Sequence, residues 1–289
     1  MEIIITDDCS YKSEFKQIKE KSAEIFSKLC NLSTLKKVII TGNDFNNYSK
    51  AVKELSKDID QSAYVSENSF AITINGISTE NALNQYIFMR GNIFYGFWLY
   101  LSKATEASDD LNLKKLACSI VLHEIGHCKY NEILYTKYNY EGSNKKEYNI
   151  FSDNELEEYI YHECVTLTSE YYAERFMNSL CNESKKDYLK EMIEIINDNC
   201  FNNRVYSLEK IYRLIYWFML YISYYHTNSI KISFYEDICN TKIGKILKNL
   251  EDEMMNFYDK FNTGEFNVGN IIHIFKEIYN IKYSSYDRI

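Results

Sequence analysis

Proline is absent from all 289 residues, and glycine occurs only nine times. Turns and helix ends therefore lack the punctuation that proline usually supplies. Tyrosine, isoleucine, asparagine and lysine abound instead. These residues have AT-rich codons, so the bias reads as coding rather than structural demand. Basic residues are short too: 33 Lys and Arg stand against 41 Asp and Glu, a net charge of −8. Phosphate binding needs a basic face, so nucleic acid is not expected as a partner. The eight cysteines, at 9, 30, 118, 128, 164, 181, 200 and 239, form no CxxC pair. That scatter suits reduced thiols in a cytoplasmic protein, not a disulfide framework.

Long apolar runs are missing as well. YIFMRGNIFYGFWLYL (86–101) contains Arg90 and two glycines, and LIYWFMLYISYY (214–225) is twelve residues long. A membrane span takes about 20 largely apolar residues, so both stretches are expected to be buried helices, with no membrane partner. The opening MEIIITDDCS has an apolar run of three residues before its acids, which reads as no secretory signal.

Hydrophobic residues at 46% and charged residues at 26% are ordinary globular values. The first third mixes short β-branched runs (EIIIT, KKVIITG, SFAITING) with helical spacing in SEFKQIKEKSAEIFSKLCNL and YSKAVKELSKDI. Strand signals nearly vanish from Ser78. TENALNQYIFMRGNIFYGFWLYLSKATEA predicts one long buried helix, followed by a helix that Ser108 to Asp110 would cap. Residues 135–154 read as a surface loop, and helical spacing resumes at 155–182. The expected class is α+β, predominantly helical. A single domain over 1–289 would hold an N-terminal α/β lobe to about 105 and a helical lobe from about 106.

The chemistry concentrates in VLHEIGHCKYNE, residues 121–132. On a helix, Leu113, Leu116, Ile120, His123 and His127 follow three- and four-residue steps, so both histidines continue a stripe expected to be buried. Imidazoles one turn apart can reach one zinc ion about 2.0–2.1 Å from each nitrogen. Glu124, about 100° around the helix, lies where a general base for water belongs. Gly126 costs about 1 kcal/mol in mid-helix, which suggests a close approach by another backbone. The bland alternative is a core helix with two partnered histidines.

A catalytic zinc usually takes three protein ligands. The metzincin continuation needs glycine and histidine where this chain has Tyr130 and Ile133, so it is excluded. YHECVTLTSEYYAERFMNSL (161–180) places Glu163, Glu170 and Glu174 on one helix face, with Ala173 small enough for close packing. Cys164, Leu167, Tyr171, Phe176 and Leu180 supply apolar contacts elsewhere. His162 is a further candidate ligand, and a solvated acidic stripe is the plain alternative.

HEIGH followed by Glu170, Ala173 and Glu174 resembles the gluzincin pattern HExxH…E-x-x-A-D/N. The resemblance implies a zincin-like catalytic domain in which Glu170 is the third zinc ligand and Glu174 orients a ligand histidine. Glutamate at 174 departs from the family's aspartate or asparagine. Chain length, an aromatic helix before HExxH and the missing signal are similar to the Lit-type phage-exclusion peptidases, which cleave elongation factor Tu. Proteases of the ImmA/IrrE type share the motif. The Lit-type histidine–proline element is not found: the nearest segment, YYHTNS with His226, has no proline.

The implied activity is zinc-dependent hydrolysis of peptide bonds in one or a few cytoplasmic proteins, with a place in phage defence. Glu124 would take a proton from water and deliver it to the departing amine. Tyr172 and His226 are candidates to stabilise the transition state. SFAITING could be a sheet edge along which an extended substrate lies. A non-catalytic binding or immunity protein on the same scaffold is the competing class; it would have no need of Glu124.

Overall fold

The computed structural model describes residues 1–30, 33–57, 59, 65–78, 82–102, 111–138, 155–181, 192, 194, 208–229 and 242–283. Among them, α-helices predominate, with one small mixed sheet near the N-terminus. The strands are β1 (Glu2–Ile5), β2 (Leu35–Thr41), β3 (Ala71–Ile77) and β4 (Leu83–Arg90). Their order is β1-β2-β4-β3; β1, β2 and β4 run parallel, and β3 is antiparallel to β4 at the edge. The helices are α1 (Lys12–Leu29), α2 (Phe45–Leu55), α3 (Gly91–Leu101), α4 (Leu111–Tyr138), α5 (Glu155–Leu180), α6 (Leu208–Thr227), α7 (Lys242–Met255), α8 (Phe257–Thr263) and α9 (Val268–Tyr283). No helix among the described residues is long and apolar enough to cross a membrane.

The described residues cluster into two compact units. One holds those within 1–144 and 176–183, the other those within 145–175 and 184–289. In the first, alternation along each strand divides the sheet into two faces. Ile39, Ile74, Tyr86 and Phe88 meet Tyr48 and Val52 of α2 on one face. Asp44 starts α2 by accepting a bond from the Asn47 amide at 3.0 Å. Thr73 and Gln85 point to the other face, where α4 packs on β3 and β4. There α3 lies against α4, and Gly96 makes the close approach: a Cβ on it would stand 2.7 Å from the Ala117 Cβ. Phe15–Phe94 and Phe26–Phe97 ring contacts fasten α1 to α3.

The second unit is helical. Buried Phe218, Ile222, Leu247, Leu250, Phe257, Phe261, Ile271 and Phe275 form its interior, and α7 packs on α6, α8 and α9. The apolar stretch 214–225 lies inside α6 and is largely buried, as expected.

Three expectations need correction. The single long helix expected over 79–107 is, within the described residues, first the strand β4, then α3. β4 is flanked by β2 and β3 and covered on both faces, so it reads as a continuous apolar run; such a strand imitates a buried helix. Residues 135–138 belong to α4 rather than to a loop. Leu180 is exposed at the end of α5 instead of supplying a core contact. The proposed cap at 108–110 and the remainder of the 139–154 loop lie outside the described residues.

Candidate metal centre

The local structure of α4 begins with how it is held. Gln85 is fully buried on β4, and a buried amide needs partners. Its Nε2 donates to the Cys128 carbonyl at 2.9 Å, and its Oε1 accepts from Asn131 Nδ2 at 3.2 Å. Those bonds seize α4 at the residue after His127 and one turn beyond it.

The stripe from Leu113 to His127 is not a buried one. Leu113 and Leu116 are 64% and 44% exposed, and Ile120, His123 and His127 are half-buried. The packed face of α4 is instead Ala117, Val121, Glu124, Ile125 and Cys128. Tertiary packing thus rotates the helix so that the histidines border solvent while Glu124 faces inward, only 8% exposed.

His123 Nε2 and His127 Nε2 are 3.1 Å apart, with ring centroids 4.7 Å apart and ring planes at 84°. Two nitrogens, each about 2.0–2.1 Å from a tetrahedral ion, would be about 3.3 Å from one another. The observed separation fits that requirement closely. Glu170 of α5 completes the set: ligand atoms of His123, His127 and Glu170 all lie within 4.8 Å of one another. All three side chains are half-buried. Two imidazoles and a carboxylate are a donor set suited to zinc, and the arrangement is compatible with a HExxH-type site. Among the described residues no cysteine joins this group.

The other candidates fall elsewhere. Glu163 is half-buried two turns before Glu170, about 10 Å along the helix axis, too far to share its ion. His162 is exposed. Glu174 is buried one turn after Glu170, and Ala173 is fully buried. Tyr172 sits about 200° around α5 from Glu170; its hydroxyl donates to Asn262 Oδ1 at 2.8 Å and its ring stacks on Tyr258. The His226 side chain is buried, with its Nδ1 2.7 Å from the Tyr171 hydroxyl and its Nε2 3.9 Å from Glu251. Arg175 donates to the same phenol oxygen at 2.9 Å, and that phenol donates to the Met254 carbonyl at 3.1 Å. These contacts tie Tyr172 and His226 into the helical unit.

Sequence reasoning missed Thr73. Its Oγ1 is 2.8 Å from Glu124 Oε2 and 3.0 Å from the Glu124 carbonyl oxygen. Alternation in SFAITING was the available signal, since it turns Thr73 away from the face of Ile72 and Ile74. Gln85 was hidden because its segment read as helix. No family model, curated protein or solved structure matches this chain.

Proposed function

We propose that this protein is a zinc-dependent endopeptidase that hydrolyses peptide bonds in one or a few specific cytoplasmic proteins, with phage defence as its setting. The observation that carries the reading is the conjunction of His123, His127 and Glu170 with a buried, hydrogen-bonded Glu124 on the same helix as the histidines. A zinc ion held by the three would supply Lewis acidity, lowering the pKa of water towards about 7. Glu124 would accept the proton as water attacks the scissile carbonyl, then pass it to the departing amine.

The sheet edge supports a peptide substrate. Arg90 N donates to Phe70 O at 3.0 Å and Ser78 N to Ala82 O at 2.9 Å, both between directly opposed residues. In an antiparallel pair such bonded positions alternate, so the main chain of Ala71, Thr73 and Asn75 is directed away from β4. An extended peptide can add to that edge through main-chain bonds.

The test combines metal content with cleavage. Purified protein should carry about one zinc per chain, and Glu124→Gln should keep zinc and fold while losing hydrolysis. Expressed in bacteria, the native chain should generate discrete new protein N-termini that Glu124→Gln does not. Zinc without any cleavage would favour the non-catalytic binding protein. Broad casein digestion without discrete cellular cleavage would indicate a general peptidase.

A further inference from the structure

We infer that Thr73 is the positioning residue of the general base: its hydroxyl holds the Glu124 carboxylate, on the helix that carries both imidazoles, in one orientation. This rests on the endopeptidase reading and adds to it a residue of a different element, the edge strand β3.

A glutamate side chain has three rotatable bonds, and holding it in one geometry costs rotamer entropy. A carboxylate that acts as a base must meet the reacting water within about 2.6–3.2 Å. Thr73 Oγ1 contacts Glu124 at both ends of that side chain, the carboxylate at 2.8 Å and the main-chain carbonyl at 3.0 Å. A hydroxyl has one proton, and the anionic oxygen is both the nearer and the stronger acceptor. The same oxygen lies 3.0 Å from the main-chain carbonyl, so the donor that holds the carboxylate sits against the helix backbone. The Thr73 hydroxyl thus engages the residue that directly follows His123.

Placement on β3 gives the bridge a second consequence. Thr73 is one of the residues whose main chain is directed away from β4, where an extended peptide would pair. Its side chain holds the base while its backbone would hold the substrate. A substrate strand seated on the edge is thereby registered against Glu124 through a single residue.

Thr73→Val removes the hydroxyl, keeps the branched shape and suits a strand; Thr73→Ser keeps the hydroxyl, and Thr73→Ala is a second hydroxyl-free variant should valine fail to fold. The first readout needs neither metal nor activity. In metal-free protein labelled with carbon-13 at glutamate Cδ, the Glu124 resonance is assigned by its loss in Glu124→Gln. That resonance should move in Thr73→Val and stay close to its native position in Thr73→Ser. The second readout is the rate at which zinc-loaded protein creates new N-termini in a bacterial lysate. Thr73→Val should slow it about 10- to 100-fold with zinc content unchanged, in line with the cost of a misplaced catalytic group, and Thr73→Ser should regain most of it. An unmoved Glu124 resonance in both hydroxyl-free variants overturns the proposal, as does cleavage at the native rate in either. If the native protein itself cleaves nothing, the endopeptidase reading falls and this inference falls with it. An active native protein with unimpaired Thr73→Val sinks the inference alone.

Discussion

His123 and His127 direct their Nε2 atoms to points 3.1 Å apart from adjacent turns of α4. A hydrogen bond between them would need one ring to carry its proton there, whereas a shared ion needs both lone pairs. With the Glu170 ligand atom within 4.8 Å of both, three donors that could hold one ion lie together.

Removing either imidazole should therefore abolish tight zinc binding, because two remaining ligands hold the ion weakly. In a chelator competition, Glu170→Ala should weaken zinc more than any other substitution on α5. Glu174→Ala should follow, at about 10- to 100-fold if the buried carboxylate orients a ligand. Glu163→Ala should change little, since it sits two turns away. A ranking with Glu163→Ala worst would refute the assignment of Glu170.

Gln85→Leu tests how α4 is anchored. The substitution keeps the volume but leaves Asn131 and the Cys128 carbonyl without their amide partner. A loss of about 1–3 kcal/mol in urea unfolding is expected. Zinc affinity should fall as well, because the anchored residues border His127. Full stability with full affinity would show that the amide is dispensable.

Cys30 sets a pH dependence. Burial raises its thiol from 9.0 to about 12, and Sγ donates to the Phe26 carbonyl at 3.1 Å. Between those values the unfolded chain releases the proton while the folded one retains it. The unfolded state then binds fewer protons, so stability falls as pH rises above about 9, by up to about 1.4 kcal/mol per pH unit. Below 9 both states are protonated and this contribution does not change. Unfolding measured from pH 8 to 11 should show a shallower alkaline decline in Cys30→Ala than in the native chain; equal slopes would contradict the burial argument.

Much of the architecture was legible in the sequence because it depends on local spacing. β1, β2 and β3 announce themselves by short β-branched runs, and α1, α2 and α5 by helical period. The pair His123 and His127 needs only a helix to converge, since positions i and i+4 adjoin on any α-helix. Glu170 came from resemblance to a motif, and the structure brings it to the histidines.

Tertiary structure decided the rest, for reasons that no local pattern encodes. Leu83–Arg90 became a strand because β2 and β3 flank it and both of its faces are covered, and the resulting apolar run has no period of its own. The orientation of α4 depends on the Gln85 bonds and the Gly96–Ala117 approach, which turn Glu124 inward and leave Leu113 and Leu116 exposed. Among three glutamates on one face of α5, helix rise alone separates Glu163 from Glu170 by about 10 Å, but only packing selects which of them meets the imidazoles. Thr73 reaches Glu124 across 51 positions of sequence. A strand's alternation fixes which face such a hydroxyl takes, while its partner is fixed by whichever helix covers that face.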